Sequence, residues 1–481
     1  MLRSPLSPSA PAGSSLSPGA LRGSRDADAG ASAYGGTFWL IYASNTSLMV
    51  AVSLLFRYSD FVHVLGGTAM HLGLIAGIGM CGSLMMRVFQ GVGIDRYGPR
   101  LVWLLSLALF VASMLGHLAI GRVDTPAIYL VRILMMTSLA GAFGASITFV
   151  SLRVPENRMA EVIGTLGSSG FVGIALGPVL GDLLFAGSAV EESHVRRMFW
   201  LAAAAGSVSL LGTAIATRGH LRRLRPRRRV SPWTLVRRYH PGALLLVGMA
   251  MGLGIGLPGT FLRPYAEHVH LAGIKTFFLV YAFVAFAVRI AGRRLPERLG
   301  IRPVILLGLG SLAASMLLYL LVSDPWTLAL PAAMGGVAHA FLFPAVVAGA
   351  SSTFPVRYRG LATTLILAMF DIGMLLGQPL AGGIVEFSRL FGLPPYGTMF
   401  VTVASVLLAI AALYTLLGRR GLGPRKRPKP LARMPSLAPK ERALPGTPTS
   451  QNASTPPPSD WPQDAAAEPA RPSGVSYRTG E

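Results

Sequence analysis

The sequence predicts an all-α membrane protein of twelve transmembrane helices in two duplicated six-helix halves. Three observations predict it. The chain is 52% hydrophobic and only 13% charged, with mean hydropathy +0.55, whereas soluble domains carry about 25% charge. Twelve apolar stretches approach the roughly 20 residues a helix needs to cross the hydrocarbon layer. One polar string occurs twice, as Arg87-Val-Phe-Gln-Gly-Val-Gly-Ile-Asp95-Arg96-Tyr-Gly98-Pro-Arg100 and as Arg289-Ile-Ala-Gly-Arg-Arg-Leu-Pro-Glu297-Arg298-Leu-Gly300-Ile-Arg302, 202 residues apart. A polar loop repeated between apolar stretches marks a duplicated bundle, the plan that underlies most secondary transporters.

Taken in order, the first stretch, 37–57, carries a polar step at Asn45-Thr46-Ser47. The second, 68–86, holds the single cysteine, Cys81, and leads into the first copy of the string. The third is 101–121, and the fourth, 126–150, contains Arg132. In the fifth, 163–185, Gly173, Gly177 and Gly181 recur every four residues. They share one helix face, and Pro178 adds a kink. The sixth, 197–216, ends the N-terminal half, 36–216. The linker 217–240 holds nine Arg and no acid. The C-terminal half, 241–418, repeats the order with 242–263, 274–291, 303–322, 326–349, 361–385 and 396–417. His339 lies in the tenth stretch and Asp371 in the eleventh. Two further echoes support the duplication. Pro155 and Pro355 open similar loops, and the Gly173-to-Gly181 face is answered by Gly373, Gly377 and Gly382, both at an offset of 200 with a slip at the last glycine.

The net charge of +23 is concentrated in the linker and in the tail cluster Arg425-Lys426-Arg427-Pro-Lys429. Basic loops between apolar spans are the positive-inside signal rather than a nucleic-acid footprint. Every even-to-odd connection is Arg-rich, whereas the opposite loops mix Arg with Asp60, Asp124, Glu191, Glu192, Glu267 and Asp324. The expectation is a multi-pass cell (inner) membrane protein with both termini in the cytoplasm and the lipid bilayer as its main partner. Residues 1–35 and 419–481 read as disordered cytoplasmic tails, rich in Ser, Pro, Gly and Ala and without an apolar core. One cysteine excludes an internal disulfide and a Cys-based metal site. His268-x-His270 lacks further metal ligands, so no metal and no cofactor are expected.

The repeated string has a physical reading of its own. Gly98 and Gly300 permit a tight turn at positive φ. Asp95 and Glu297 sit amid Arg side chains near helix ends, where a salt bridge made in one conformation latches two halves. Topology alone needs only the Arg, so the repeated acid argues for a latch. Ionisable groups at mid-bilayer cost about 2.5–3.5 kcal/mol and survive when paired or functional. Asn45, Arg132, His339 and Asp371 are therefore candidates for a substrate or proton pathway. Arg57 and Arg263 close the outer ends of the first and seventh stretches and are candidates for an outer gate, with snorkelling as the plainer explanation.

The string Gly91-Val-Gly-Ile-Asp95-Arg96-Tyr-Gly98-Pro-Arg100 closely resembles the loop 2–3 signature of the major facilitator superfamily, with Gly93 and Pro99 as departures. Gly173-x-x-x-Gly177-Pro178-x-x-Gly181 looks like the fifth-helix motif of that superfamily's exporters. Arg132 sits where a fourth-helix Arg motif would place it, without the Gln-Gly that follows there. The resemblance covers about 37–417 and is nearest to bacterial drug and sugar efflux members. It implies the major facilitator fold, a central cavity lined by helices 1, 4, 7 and 10, and a gating role for Arg87, Asp95, Arg96, Gly98, Arg100, Arg289, Glu297, Arg298 and Gly300.

These features point to a secondary active transporter for a small-molecule substrate, working as a monomer by alternating access. No Gly-x-x-x-x-Gly-Lys-Ser/Thr string for ATP is present. Protons fit as the coupling ion because Asp371 and His339 titrate, and export fits the fifth-helix motif. Uptake of a sugar, amino acid or carboxylate is the alternative direction, and a transporter-like sensor or scaffold the alternative class. Nothing reads as an enzyme: there is no His-Glu-x-x-His and no Gly-x-Ser-x-Gly.

Overall fold

The computed structural model describes residues 34–419 apart from 155–157, 187–189, 220–231, 240, 272, 293 and 356–357. The expected tails and most of the Arg run in the linker lie outside the described residues, as do the side chains of Asp95 and Glu297. Within them the chain is helical, as backbone groups in lipid must be satisfied within their own segment.

Twelve long helices follow one another: α1 (Gly36–Val64), α2 (Ala69–Tyr97), α3 (Pro99–His117), α4 (Pro126–Ser151), α5 (Met159–Leu184), α6 (Glu192–Ala216), α7 (Leu244–His268), α8 (Lys275–Ala291), α9 (Ile301–Leu321), α10 (Ala329–Thr353), α11 (Arg359–Leu390) and α12 (Pro395–Arg419). α1 and α9 each include a 3-10 turn. Short helices at Pro232–Tyr239 and Leu295–Leu299 lie between them. Eleven of the twelve are long and apolar enough to cross a membrane, and α8, at 17 residues, falls just short. At 1.5 Å per residue α8 is about 26 Å long.

The duplication is visible in the packing. α1 lies on α5 as α7 lies on α11; α2 on α4 as α8 on α10; α3 on α6 as α9 on α12. The halves meet chiefly along two seams, α2–α11 and α8–α5, which the duplication relates to each other. The α2–α11 seam is the more extensive. An even number of spans puts the start of α1 and the end of α12 at one end of the bundle, the terminal end. The opposite, distal end carries the α1–α2, α5–α6 and α7–α8 connections.

Several helices outrun the apolar stretches read from the sequence. α1 was expected to end at 57 but runs to Val64, because Arg57 and Asp60 pair and are buried together. α2 was expected to end at 86 but continues to Tyr97, since Arg87 finds a carboxylate on α11. Gly98 and Gly300, at φ +84° and +85°, each turn the chain sharply into the next helix. A side chain at either would be strained.

The glycine face of α5 packs inside its own half. A Cβ at Gly173 would lie 2.7 Å from the Met49 carbonyl carbon, and one at Gly177 2.8 Å from the Leu54 nitrogen. Ser53 on α1 donates to the Gly173 carbonyl at 2.6 Å. Gly181 meets the Arg57 side chain, and Pro178 lies within the helix. In the second half, Gly373 approaches the Met249 backbone of α7 in the same way. The face is thus an α1–α5 contact, not a contact between halves.

Candidate functional site: two seams and a buried charge cluster

At mid-depth in the α2–α11 seam, Arg87 holds Asp371. Its Nη2 donates to Asp371 Oδ1 at 3.1 Å, and Nε lies against Oδ2. Ser83, one turn before Arg87, donates to Oδ2 at 2.7 Å. Asp371 is only 3% exposed, so an unpaired carboxylate there would be expensive. Two residues assigned to different roles from the sequence, Arg87 to gating and Asp371 to a proton pathway, form one site. Towards the distal end the same seam closes backbone to backbone. A Cβ at Gly73 would meet the Pro379 Cα at 3.2 Å, and one at Gly382 the Met70 Cα at 3.2 Å.

The α8–α5 seam has a different composition. Arg289 lies over the Phe171 ring, 5.1 Å from its centroid. Phe171, Ala282 and Ala285 form a small buried apolar cluster. His339 on α10 stands edge-on to Phe171 at 5.6 Å, and its Nδ1 is 2.6 Å from the Tyr281 hydroxyl.

A third cluster ties the distal end. Arg57 Nη1 donates to Asp60 at 2.7 Å and Nε to Asp182 at 3.2 Å. Arg263 Nε donates to both Asp60 oxygens, at 3.1 and 3.3 Å. Asp182 Oδ2 accepts from the backbone N–H of Ile274 and Lys275, each at 2.9 Å, at the start of α8. A carboxylate there answers the unsatisfied N–H groups and the positive end of the helix dipole. Two arginines and two aspartates, all under a tenth exposed, therefore form a formally neutral network between the halves. The sequence singled out Arg57 and Arg263. Asp60 was counted only among the acids of the opposite loops.

The remaining candidates are dispersed. Arg132 is buried, 4.4 Å from the Tyr58 ring centroid, and its Nη1 reaches Met135 Sδ at 3.5 Å. Its Nε has no hydrogen-bond partner. Asn45 is buried on α1. Arg100 bonds Thr217 at 3.2 Å, joining α3 to the end of α6. Arg96 is exposed beside the Tyr97 ring, and Arg298 is exposed on its short helix. Sequence reading missed Ser83, Phe171 and Tyr281. A buried Gln378, with neither amide atom bonded, was also missed.

The comparisons with known proteins settle the family. The model of the Major Facilitator Superfamily matches residues 35–323 and 244–458. The chain belongs to that superfamily. Among curated relatives, the multidrug resistance protein MdtG of Salmonella arizonae is 24% identical over 77% of this chain and 91% of its own. The MFS-type transporter YhhS of Escherichia coli K12 is 24% identical over 74% of this chain and 85% of its own. Among solved structures, the nucleoside transporter NupG superposes with TM-score 0.67 at 13% identity, covering 80% of this chain and all of that one. A bacterial homologue of the lysosomal transporter Spinster gives TM-score 0.62 at 16% identity over 80% of this chain. The superfamily member is thus a multi-span membrane transporter whose relatives include multidrug resistance proteins.

Proposed function

We propose that this superfamily member is a proton-coupled exporter of a small solute, working by alternating access between the two halves. The observation that carries the reading is the Ser83–Arg87–Asp371 site, a titratable acid paired across the halves. A proton on Asp371 removes the charge that Arg87 neutralises, so protonation and separation of the α2–α11 seam are linked. A ligand or proton shifts such an equilibrium only through its different affinity for the two states. The Arg57–Asp60–Asp182–Arg263 network then serves as the closed gate of the distal end. The positive-inside bias of the connections supports a distal end outside and both termini in the cytoplasm. The drug-resistance names of the relatives support export.

The test uses purified protein in proteoliposomes, with a panel of labelled organic cations, neutral compounds and organic acids under an imposed proton gradient. Gradient-driven accumulation should be lost in Asp371→Asn, while exchange across equal concentrations persists. Accumulation unchanged in both Asp371→Asn and His339→Gln would remove both from the coupling step. No flux of any solute would favour the sensor class. A reporter fused after Leu417 should report a cytoplasmic location, and periplasmic phosphatase activity there would reverse the orientation.

A further inference from the structure

The duplication aligns the mid-depth site of one seam with a site in the other. At offsets of 202, 202 and 200, Ser83, Arg87 and Asp371 correspond to Ala285, Arg289 and Phe171. The equivalence is spatial as well. Ser83 and Arg87 contact Asp371 across α2–α11, while Arg289 lies over Phe171, which shares a buried apolar cluster with Ala285, across α8–α5. Two of the three positions are apolar in this seam, and the arginine is common to both. Among the described residues Arg289 has no salt bridge, and its buried Nε has no hydrogen-bond partner. A ring face is a weaker partner than a carboxylate, worth about 0.5–2 kcal/mol. The symmetric site holds a carboxylate opposite the equivalent arginine, Arg87.

The chemistry around Arg289 is that of a receptor rather than a latch. A half-buried guanidinium, the Tyr281 hydroxyl and the His339 imidazole converge beside the Phe171 and Phe343 rings. A planar guanidinium offers a fork that matches a carboxylate or phosphate, and an aromatic wall suits an apolar body. A few placed polar groups in a mostly apolar lining is the common composition of a small-molecule site.

We propose that the acid missing opposite Arg289 is supplied by the substrate: the site takes the single anionic group of a small organic acid with an aromatic or apolar body, beside the Phe171 ring. This inference rests on the transporter reading for the word substrate, but the site itself is testable without transport.

The experiment is calorimetric titration of the full-length protein in detergent with benzoate and with its neutral isostere benzamide. Benzoate should bind and benzamide should bind at least tenfold more weakly. Arg289→Gln should weaken benzoate by about 10- to 100-fold, the range for loss of a charged hydrogen bond. Phe171→Asp keeps the arginine and supplies it with an internal carboxylate, so it should weaken benzoate comparably. It also covers the case in which Arg289→Gln does not fold. Phe171→Leu, which removes the ring but adds no charge, should retain the preference for benzoate. Equal binding of benzoate and benzamide, no binding of benzoate, or benzoate binding unchanged in both Arg289→Gln and Phe171→Asp would overturn the proposal. Transport of neutral solutes alongside any of these results would leave the transporter reading standing. Charge-selective binding without flux would do the reverse.

Discussion

The two seams are built from duplicated helices, yet they carry their charges at different depths. α2–α11 is bare backbone at the distal end, where Gly73 and Gly382 let the chains touch, and ionic at mid-depth, where Arg87 holds Asp371. α8–α5 is ionic at the distal end, where Asp182 caps the start of α8, and apolar at mid-depth, where Phe171 meets Ala282 and Ala285 under Arg289. Gly73 itself corresponds to Lys275, whose N–H bonds Asp182. Parting α2–α11 strips a buried carboxylate of its cation unless a proton arrives. Parting α8–α5 at mid-depth breaks only apolar and ring contacts. Duplicated architecture therefore does not mean duplicated energetics. On the proposed reading, one seam couples to protons and the other meets a solute.

The largest effect is expected at the distal network the seams share. Asp60 accepts from both Arg57 and Arg263, so Asp60→Asn leaves two buried guanidinium groups with one carboxylate. Breaking a buried pair from one side costs about 3–5 kcal/mol, read as a large drop in melting temperature in detergent. A drop no larger than that of an exposed-site control would mean that solvent reaches the network. Next in size is Gly73→Ala, whose Cβ would press on the Gln378 carbonyl carbon at 3.1 Å. Overpacking of this kind costs about 1–3 kcal/mol. Gly164→Ala on α5, where a Cβ meets nothing within 4 Å, should be neutral or slightly stabilising. Equal losses at both would deny the close backbone contact of α2–α11.

A smaller effect is expected from Phe171→Asp compared with Phe171→Asn. Both remove the buried ring, but the aspartate recreates the α2–α11 pairing, so it should be more stable than the asparagine variant by about 1–2 kcal/mol while slowing flux. Equal stability of the two variants would show that the seams are not equivalent in space. Smallest of all is Asp324→Asn, a control outside both seams in the α9–α10 connection. Backbone N–H groups of Thr327 and Trp326 hold the Asp324 carboxyl below the usual carboxylate range. Its contribution is thus present above that range and is lost as pH falls through the lowered value. The substitution should remove only this acid-side dependence of the melting temperature and leave flux unchanged.

Much of the frame was legible in the sequence because it is one-dimensional. Apolar stretches of about 20 residues mark spans, and the repeated string marks the duplication whatever the helices do in space. Counting also placed Asp371 and His339 near the middle of their spans and Arg132 within its own. Facing was not legible. Arg87 and Asp371 are 284 residues apart, and nothing in the linear pattern says which sides of α2 and α11 meet. The one available signal was the offset itself, which sets Phe171 against Asp371 and exposes the missing acid. The glycines of α5 were legible as one helix face, but sequence alone did not reveal that its partner is α1. The helix ends were misjudged where charges continue a span, because pairing across space hides them from lipid.

The most direct test of the difference between the seams is a pair of double-mutant cycles on unfolding free energy. One cycle takes Arg87→Gln and Asp371→Asn, and the other Arg289→Gln and Phe171→Leu. With the seams as described, the first cycle should give a coupling of at least about 1.5 kcal/mol, as close buried charge pairs do. The second should stay below about 1 kcal/mol, as a partly exposed cation–ring contact does. Equal couplings in the two cycles, or additive losses in the first, would contradict a division of roles between an ionic α2–α11 seam and an unpaired Arg289 at α8–α5.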